Sequence, residues 1–188
     1  YAARLLGIRA VVVMPQQAAR VKVEAVKRYG GEVVLVTDPS EREARAAELV
    51  EAQGLVLVPP YEHRDVIAGQ GTCGLEILEQ WPVVDAILVP VGGGGLLAGV
   101  ATAVAELRPA PRVIGGEPAG APKLSAALAA GAPTRIAKAE SLADGLLPVA
   151  VGRLPFAHFR GVVRQAVQVT DDELVRAVRF LHQEMGLR

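Results

Sequence analysis

The sequence predicts an α/β protein whose parallel sheets are flanked by helices. Three observations carry this expectation. Short apolar runs of strand character alternate with longer stretches of helical spacing, and no tight turn joins two strands as a hairpin. Four consecutive glycines, Gly92 to Gly95, stand between an apolar strand and an apolar helix. Pro59-Pro60 interrupts the pattern and marks a break between two parts.

The elements follow in order. Tyr1 to Gly7 reads as the last turns of a helix closed by a glycine. Ile8 to Met14 is a continuous apolar strand ended by Pro15, and Gln16 to Tyr29 has helical spacing up to Gly30-Gly31. Glu32 to Thr37 is the second strand. Asp38-Pro39-Ser40 starts a helix, Glu41 to Gln53, that Gly54 closes, and Leu55 to Val58 is a third strand. Beyond the prolines come a helix from Asp65 to Trp81, a strand from Ala86 to Pro90, the glycines, and a helix ending at Leu107. A strand from Arg112 to Glu117 and a helix from Ala121 to Ala130 follow. Gly131 to Gly152 is irregular, Leu154 to Phe159 is apolar and ambiguous, and Arg164 to Val169 is a strand. Thr170 and Glu173 form a capping box that opens a last helix. The chain stops at Arg188 as a helix does and lacks an initiator methionine, so the reading is an internal piece of a longer protein.

Composition narrows the function. The 188 residues are 51% hydrophobic with mean hydropathy +0.32, enough for a real core. Lys+Arg and Asp+Glu number 20 each, so no basic field favours nucleic acid and no basic amphipathic stretch favours a membrane surface. No apolar run reaches transmembrane length. The single cysteine, Cys73, allows no internal disulfide, suits a cytoplasmic compartment, and reads as a small buried filler. His63, His158 and His182 have no metal-ligand spacing.

The glycine run carries the chemistry. Glycines between a strand end and a helix start let backbone N–H groups approach an anion, and the first helical N–H groups point outward unpaired. A flexible linker is a poor account, because both flanks are apolar elements. The run also satisfies a dinucleotide fingerprint, Gly93-x-Gly95-x-x-Ala98 with Glu117 after the next strand. A Rossmann oxidoreductase using Gly93, Gly95, Ala98 and Glu117 therefore stands beside a site for a single phosphate group.

Several blocks together resemble one family. They are Val13-Met14-Pro15 with Lys22-Val23-Glu24-Ala25, Ile67-Ala68-Gly69-Gln70-Gly71-Thr72, Pro90 to Leu96, Glu117-Pro118, Ala143-Asp144-Gly145, and Val169 to Glu173. The chain resembles the fold type II pyridoxal-phosphate enzymes, tryptophan synthase beta-like in fold, specifically threonine/serine dehydratase and serine racemase. The resemblance covers essentially the whole chain. It implies two α/β domains with open parallel sheets, here incomplete: residues 1–58 in the small domain and 59–188 in the large phosphate-binding domain.

The resemblance also implies a function. Pyridoxal 5′-phosphate would be the cofactor, its phosphate held by the backbone N–H groups of Gly92, Gly93, Gly94, Gly95 and Leu96. Tyr61 and Gly145 would lie beside it. The reaction would take the α-proton and then the β-hydroxyl from threonine or serine, leaving a 2-oxo acid and ammonia. Racemisation of serine in the same family is the alternative, and a non-catalytic fragment is a third reading. Lys22, Lys27, Lys123 and Lys138 all lie outside the family's Ser-x-Lys-x-Arg setting for the Schiff-base lysine, so no catalytic residue is assigned within this chain.

Relatives that bind a divalent cation place oxygen ligands where this chain has Glu117, Ala121 and Lys123. A protonated lysine ligates no hard cation, so Lys123 argues against the metal. Two expectations follow for Lys123: its ammonium replaces the cation and pairs with Glu117, or it points to solvent. The remaining expectations are an amino-acid substrate, no nucleic-acid or membrane partner, a homodimer or higher homo-oligomer, and a cytoplasmic location.

Overall fold

A computed structural model describes residues 1–187. The chain divides into two compact units, residues 1–57 and residues 58–188.

The first unit is built on two parallel strands. After α1 (Ala2–Leu5) come β1 (Val11–Pro15), α2 (Arg20–Arg28), β2 (Glu32–Val36), a 3₁₀ turn at Pro39–Glu41, and α3 (Arg42–Gln53). Val11 pairs with Glu32 and Pro15 with Val36. The β1–α2–β2 connection is the crossover that parallel strands require. Helix α2 starts later than its apolar spacing predicts. Ala18 N–H donates to the Pro15 carbonyl at 2.9 Å, making a turn, and Ala19 is still extended at φ −53° and ψ 129°. The Asp38 side chain accepts from Ser40 N–H at 2.8 Å, which is the local reason the 3₁₀ turn leading into α3 starts there.

One expected strand is absent. Leu55 to Val58 belongs to no strand, with Val56 88% and Val58 76% exposed. A strand needs a neighbour for its backbone groups, and the two-stranded sheet of this unit offers this segment none. Apolar character alone is a misleading guide here.

The second unit carries α4 (Arg64–Gln80), β3 (Ala86–Pro90), α5 (Gly95–Leu107), β4 (Arg112–Pro118), α6 (Lys123–Ala130), a 3₁₀ turn at Asp144–Leu146, α7 (Arg153–Phe159), β5 (Ala166–Val169) and α8 (Asp171–Gln183). Its sheet runs β3-β4-β5, all parallel, with Ala86 opposite Arg112 and Gly115 opposite Ala166. The ambiguous Leu154–Phe159 segment is helical, because Pro155, Phe156 and Phe159 turn one face into the core. The α8 capping box forms: Thr170 Oγ1 accepts from Glu173 N–H at 3.3 Å, and Glu173 Oε2 accepts from Thr170 N–H at 2.9 Å. Helix α8 ends at Gln183, and Arg188 lies outside the described residues.

Helix α5 is the centre of this unit. Leu97, Ala98, Val100, Ala101 and Val104 are buried, so it is apolar on nearly every side. It packs on α4 at backbone distance. A Cβ on Gly99 would overlap Gly71 N and lie 2.6 Å from the Ile67 carbonyl oxygen. Gly74 lies on Val100 and Ala103 in the same way. The Gly71 and Gly74 positions of the glycine-rich block thus serve helix packing. Cys73 is exposed, which corrects the expectation of a buried filler: the inward face of α4 runs through Ile67, Gly74 and Leu78. Among the described residues, no helix is long and apolar enough to cross a membrane.

A Gly99→Ala exchange should destabilise the protein by about 1–3 kcal/mol, because the added methyl meets backbone that cannot swing aside. Gly69→Ala, on the same helix pair but with no atom within 4 Å of the new Cβ, should stabilise by roughly 0.5–1 kcal/mol. Urea unfolding of both variants tests the pair.

Candidate functional site

Strand β3 stays paired until Val91, whose N–H donates to the Gly116 carbonyl at 2.8 Å. The four glycines follow immediately, outside the carboxyl end of the sheet, where open α/β sheets bind ligands. Gly94 has φ +93° and ψ 2°, a left-handed conformation that side chains resist, and it is the N-cap of α5. The first intrahelical bond runs from Ala98 N–H to the Gly94 carbonyl at 2.8 Å. The N–H groups of Gly95, Leu96 and Leu97 therefore have no helical acceptor. They sit at the positive end of a 13-residue helix. Such a turn fits a phosphate.

Three neighbouring segments shape the turn. The Tyr61 ring lies on Gly93, where any Cβ would overlap it, and Tyr61 Cβ lies 3.0 Å from the place a Gly95 Cβ would take. The Gly145 carbonyl oxygen lies 3.0 Å from the same point on Gly92. Gly152 N–H donates to the Gly93 carbonyl at 2.9 Å, tying the turn to the start of α7. The residue after Tyr61 is fixed as well: Glu62 Oε1 accepts from Leu154 N–H at 2.8 Å. The structure thus brings together Gly92, Gly93, Gly94, Gly95, Leu96, Tyr61 and Gly145. Sequence reasoning misses Glu62, because a lone Glu before a helix signals nothing about a partner at Leu154.

Glu117 and Lys123 form a second, buried cluster. Glu117 is 2% exposed; its Oε2 accepts from Leu124 N–H at 2.6 Å, and its Oε1 accepts from Ser125 N–H at 2.8 Å and Ser125 Oγ at 2.7 Å. It caps α6, whose own N-cap, Pro122, has no side-chain acceptor. Gln168 Nε2 donates to Ser125 Oγ at 3.0 Å and extends the network to β5. Lys123 is fully buried, and its Nζ donates to the Leu146 carbonyl at 2.8 Å. Burial pushes its ammonium below the ordinary lysine range, and the Glu117 charge opposes that shift through space.

The solvent expectation for Lys123 needs correction: the side chain is fully buried. Its charge interacts with that of Glu117 through space, but its hydrogen bond goes to the Leu146 carbonyl while the Glu117 oxygens serve α6. The Ala121 carbonyl, the other oxygen considered for a cation, accepts from Lys123 N–H at 2.9 Å. The dinucleotide reading weakens on the same ground. Glu117, its ribose acceptor, is buried and engaged within the chain.

The other lysines and the three histidines are exposed. Lys22 and Lys27 are exposed on α2, and exposed Lys138 pairs with Glu140. His63 is the N-cap of α4, its Nδ1 accepting from Asp65 N–H at 3.2 Å. His158 and His182 are exposed, with Nδ1 3.4 Å from Thr102 Oγ1 and from the Leu187 carbonyl respectively.

Comparison with known proteins agrees with this geometry. The family model described as pyridoxal-phosphate dependent enzyme matches residues 1–188. The biosynthetic L-threonine dehydratase of Pasteurella multocida is 39% identical over 184 residues, covering 97% of this chain and 36% of that protein. The structure of maize serine racemase superposes with a TM-score of 0.92 at 37% identity, covering 97% of this chain and 55% of the other. The serine racemase of Dictyostelium discoideum superposes with a TM-score of 0.88 at 35% identity, covering 99% and 59%. The chain thus spans between about a third and three fifths of the proteins it resembles. A parallel α/β sheet, a four-glycine turn at its carboxyl edge and a family match along all 188 residues lead to one conclusion: this chain belongs to the fold type II pyridoxal-phosphate dependent enzymes.

Proposed function

We propose that this chain is the phosphate-binding part of a threonine/serine dehydratase. The observation that carries the reading is the turn itself: four glycines, left-handed Gly94 at the head of α5, and walls from Tyr61 and Gly145. The N–H groups of Gly92 to Leu96 would hold the cofactor phosphate, and the Tyr61 ring would border it. When bound, pyridoxal phosphate supplies an electron sink that lets an amino acid lose its α-proton and then its β-hydroxyl. The chain's own contribution is to anchor the phosphate and fix its orientation, with α5 directing its positive end at the anion. Threonine or serine would leave as a 2-oxo acid and ammonia. The similarity to L-threonine dehydratase supports this substrate class.

Serine racemisation is the second reading, supported by the likeness to maize serine racemase. Release of 2-oxo acid and ammonia against formation of D-serine separates the two. We assign residues 1–58 to a small domain and 59–188 to the large phosphate-binding domain, in a cytoplasmic homodimer or higher homo-oligomer. The exposed thiol of Cys73 suits a reducing compartment.

Three outcomes test the proposal. Gly94→Val should abolish cofactor retention, because valine resists φ +93° and its side chain would meet Phe159 and Pro155; wild-type cofactor content in the purified variant would reject the phosphate site. Elemental analysis of the enzyme should find no stoichiometric Mg²⁺ or Ca²⁺ at Glu117, since its carboxylate already caps α6; a bound ion there would overturn that assignment. Borohydride reduction of this 188-residue chain with added pyridoxal phosphate should label no lysine stoichiometrically. Full labelling at Lys22, Lys27, Lys123 or Lys138, with ammonia released from threonine, would move the catalytic base into this chain.

A further inference from the structure

The irregular segment between α6 and α7 is held at two points by charged side chains. Near its middle, Asp171 in the first turn of α8 accepts from Ser141 Oγ at 2.5 Å and from Leu142 N–H at 3.2 Å. Further on, Lys123 Nζ donates to the Leu146 carbonyl at 2.8 Å. Between the two points lies the Asp144–Leu146 turn, whose Gly145 carbonyl faces Gly92. A continuous path of contacts thus leads from Glu117 through α6 and Lys123 to Leu146, Gly145 and the glycine turn.

A fully buried lysine is costly, and an apolar residue of similar length would fill the space without that cost. Lysine adds a charged donor able to reach a carbonyl of an irregular segment, where no ladder satisfies the backbone. The chain around Lys123 is fixed in turn. Glu117 holds the first turn of α6, so the ammonium projects from a rigid base.

We propose that Lys123 is a positioning residue for the anion site: acting through the Leu146 carbonyl, it holds the Gly145 wall against Gly92 and so sets the cradle for a phosphate ester. Asp171 is the second anchor of the same wall. The inference rests on the phosphate-site reading of the glycine turn given above.

The test uses the holoenzyme, with Lys123→Met to remove the charge and donor at similar length. Exposed Lys138→Met is the control. The dissociation constant for pyridoxal phosphate should rise about tenfold or more in Lys123→Met. The ³¹P resonance of the bound phosphate should shift, and Lys138→Met should match the wild type in both. A Lys123→Met protein that melts earlier yet keeps the wild-type dissociation constant and ³¹P shift would make Lys123 a stability residue only and overturn the proposal.

Hydrogen exchange on the wild type covers the case in which Lys123→Met fails to fold. Adding pyridoxal phosphate should protect the amides of residues 92–96 and of residues 143–146 together. Protection confined to residues 92–96 would overturn the role of Lys123 and leave the phosphate site standing. Protection at neither would overturn both.

Discussion

Helix α5 is buried on nearly every side, and the rest of the second unit is arranged to allow it. A helix this apolar must be covered by α4, by the sheet and by α7 at once. Small residues make the coverage feasible: Gly71 and Gly74 on α4 meet Gly99, Val100 and Ala103 at backbone distance. Burial of the helix also buries its first turn. The outward N–H groups there then need either a partner within the fold or an anion.

The same constraint explains why the walls of the turn are tethered so heavily. Tyr61 is held through its neighbour Glu62 on the start of α7, and the Gly93 carbonyl is held by Gly152. The Gly145 side hangs on Lys123 and Asp171. Each tether is a hydrogen-bonded group drawn from elsewhere in the chain, so the site's shape is the sum of several long-range contacts. Backbone donors bind a phosphate well only when their directions are fixed beforehand, which is what these tethers accomplish.

The parts legible in the sequence are those set by local pattern. Strand β3 and helix α5 show as apolar runs, and the glycines between them are unmistakable. The α8 capping box is spelled by Thr170 and Glu173 alone. What sequence reasoning misses depends on partners far along the chain. The sequence leaves Lys123 open between a buried charge near Glu117 and a solvent-facing side chain, and gives no sign of the carbonyl 23 positions away that accepts its hydrogen bond. Leu55 to Val58 has strand composition, but strand formation depends on a neighbour. Cys73 reads as filler for want of a second cysteine, but it is exposed and the glycines beside it are the residues that pack.

The Glu117 cap carries a consequence for the order in which the chain acquires its structure. Helix α6 has only eight residues, too few to persist alone in water, and Pro122 gives it no side-chain cap of its own. Its first amides are satisfied by a carboxylate that belongs to the end of β4. The helix therefore has little reason to nucleate until that strand has docked between β3 and β5 and oriented the carboxylate. In this unit the sheet is the template on which α6 is stable.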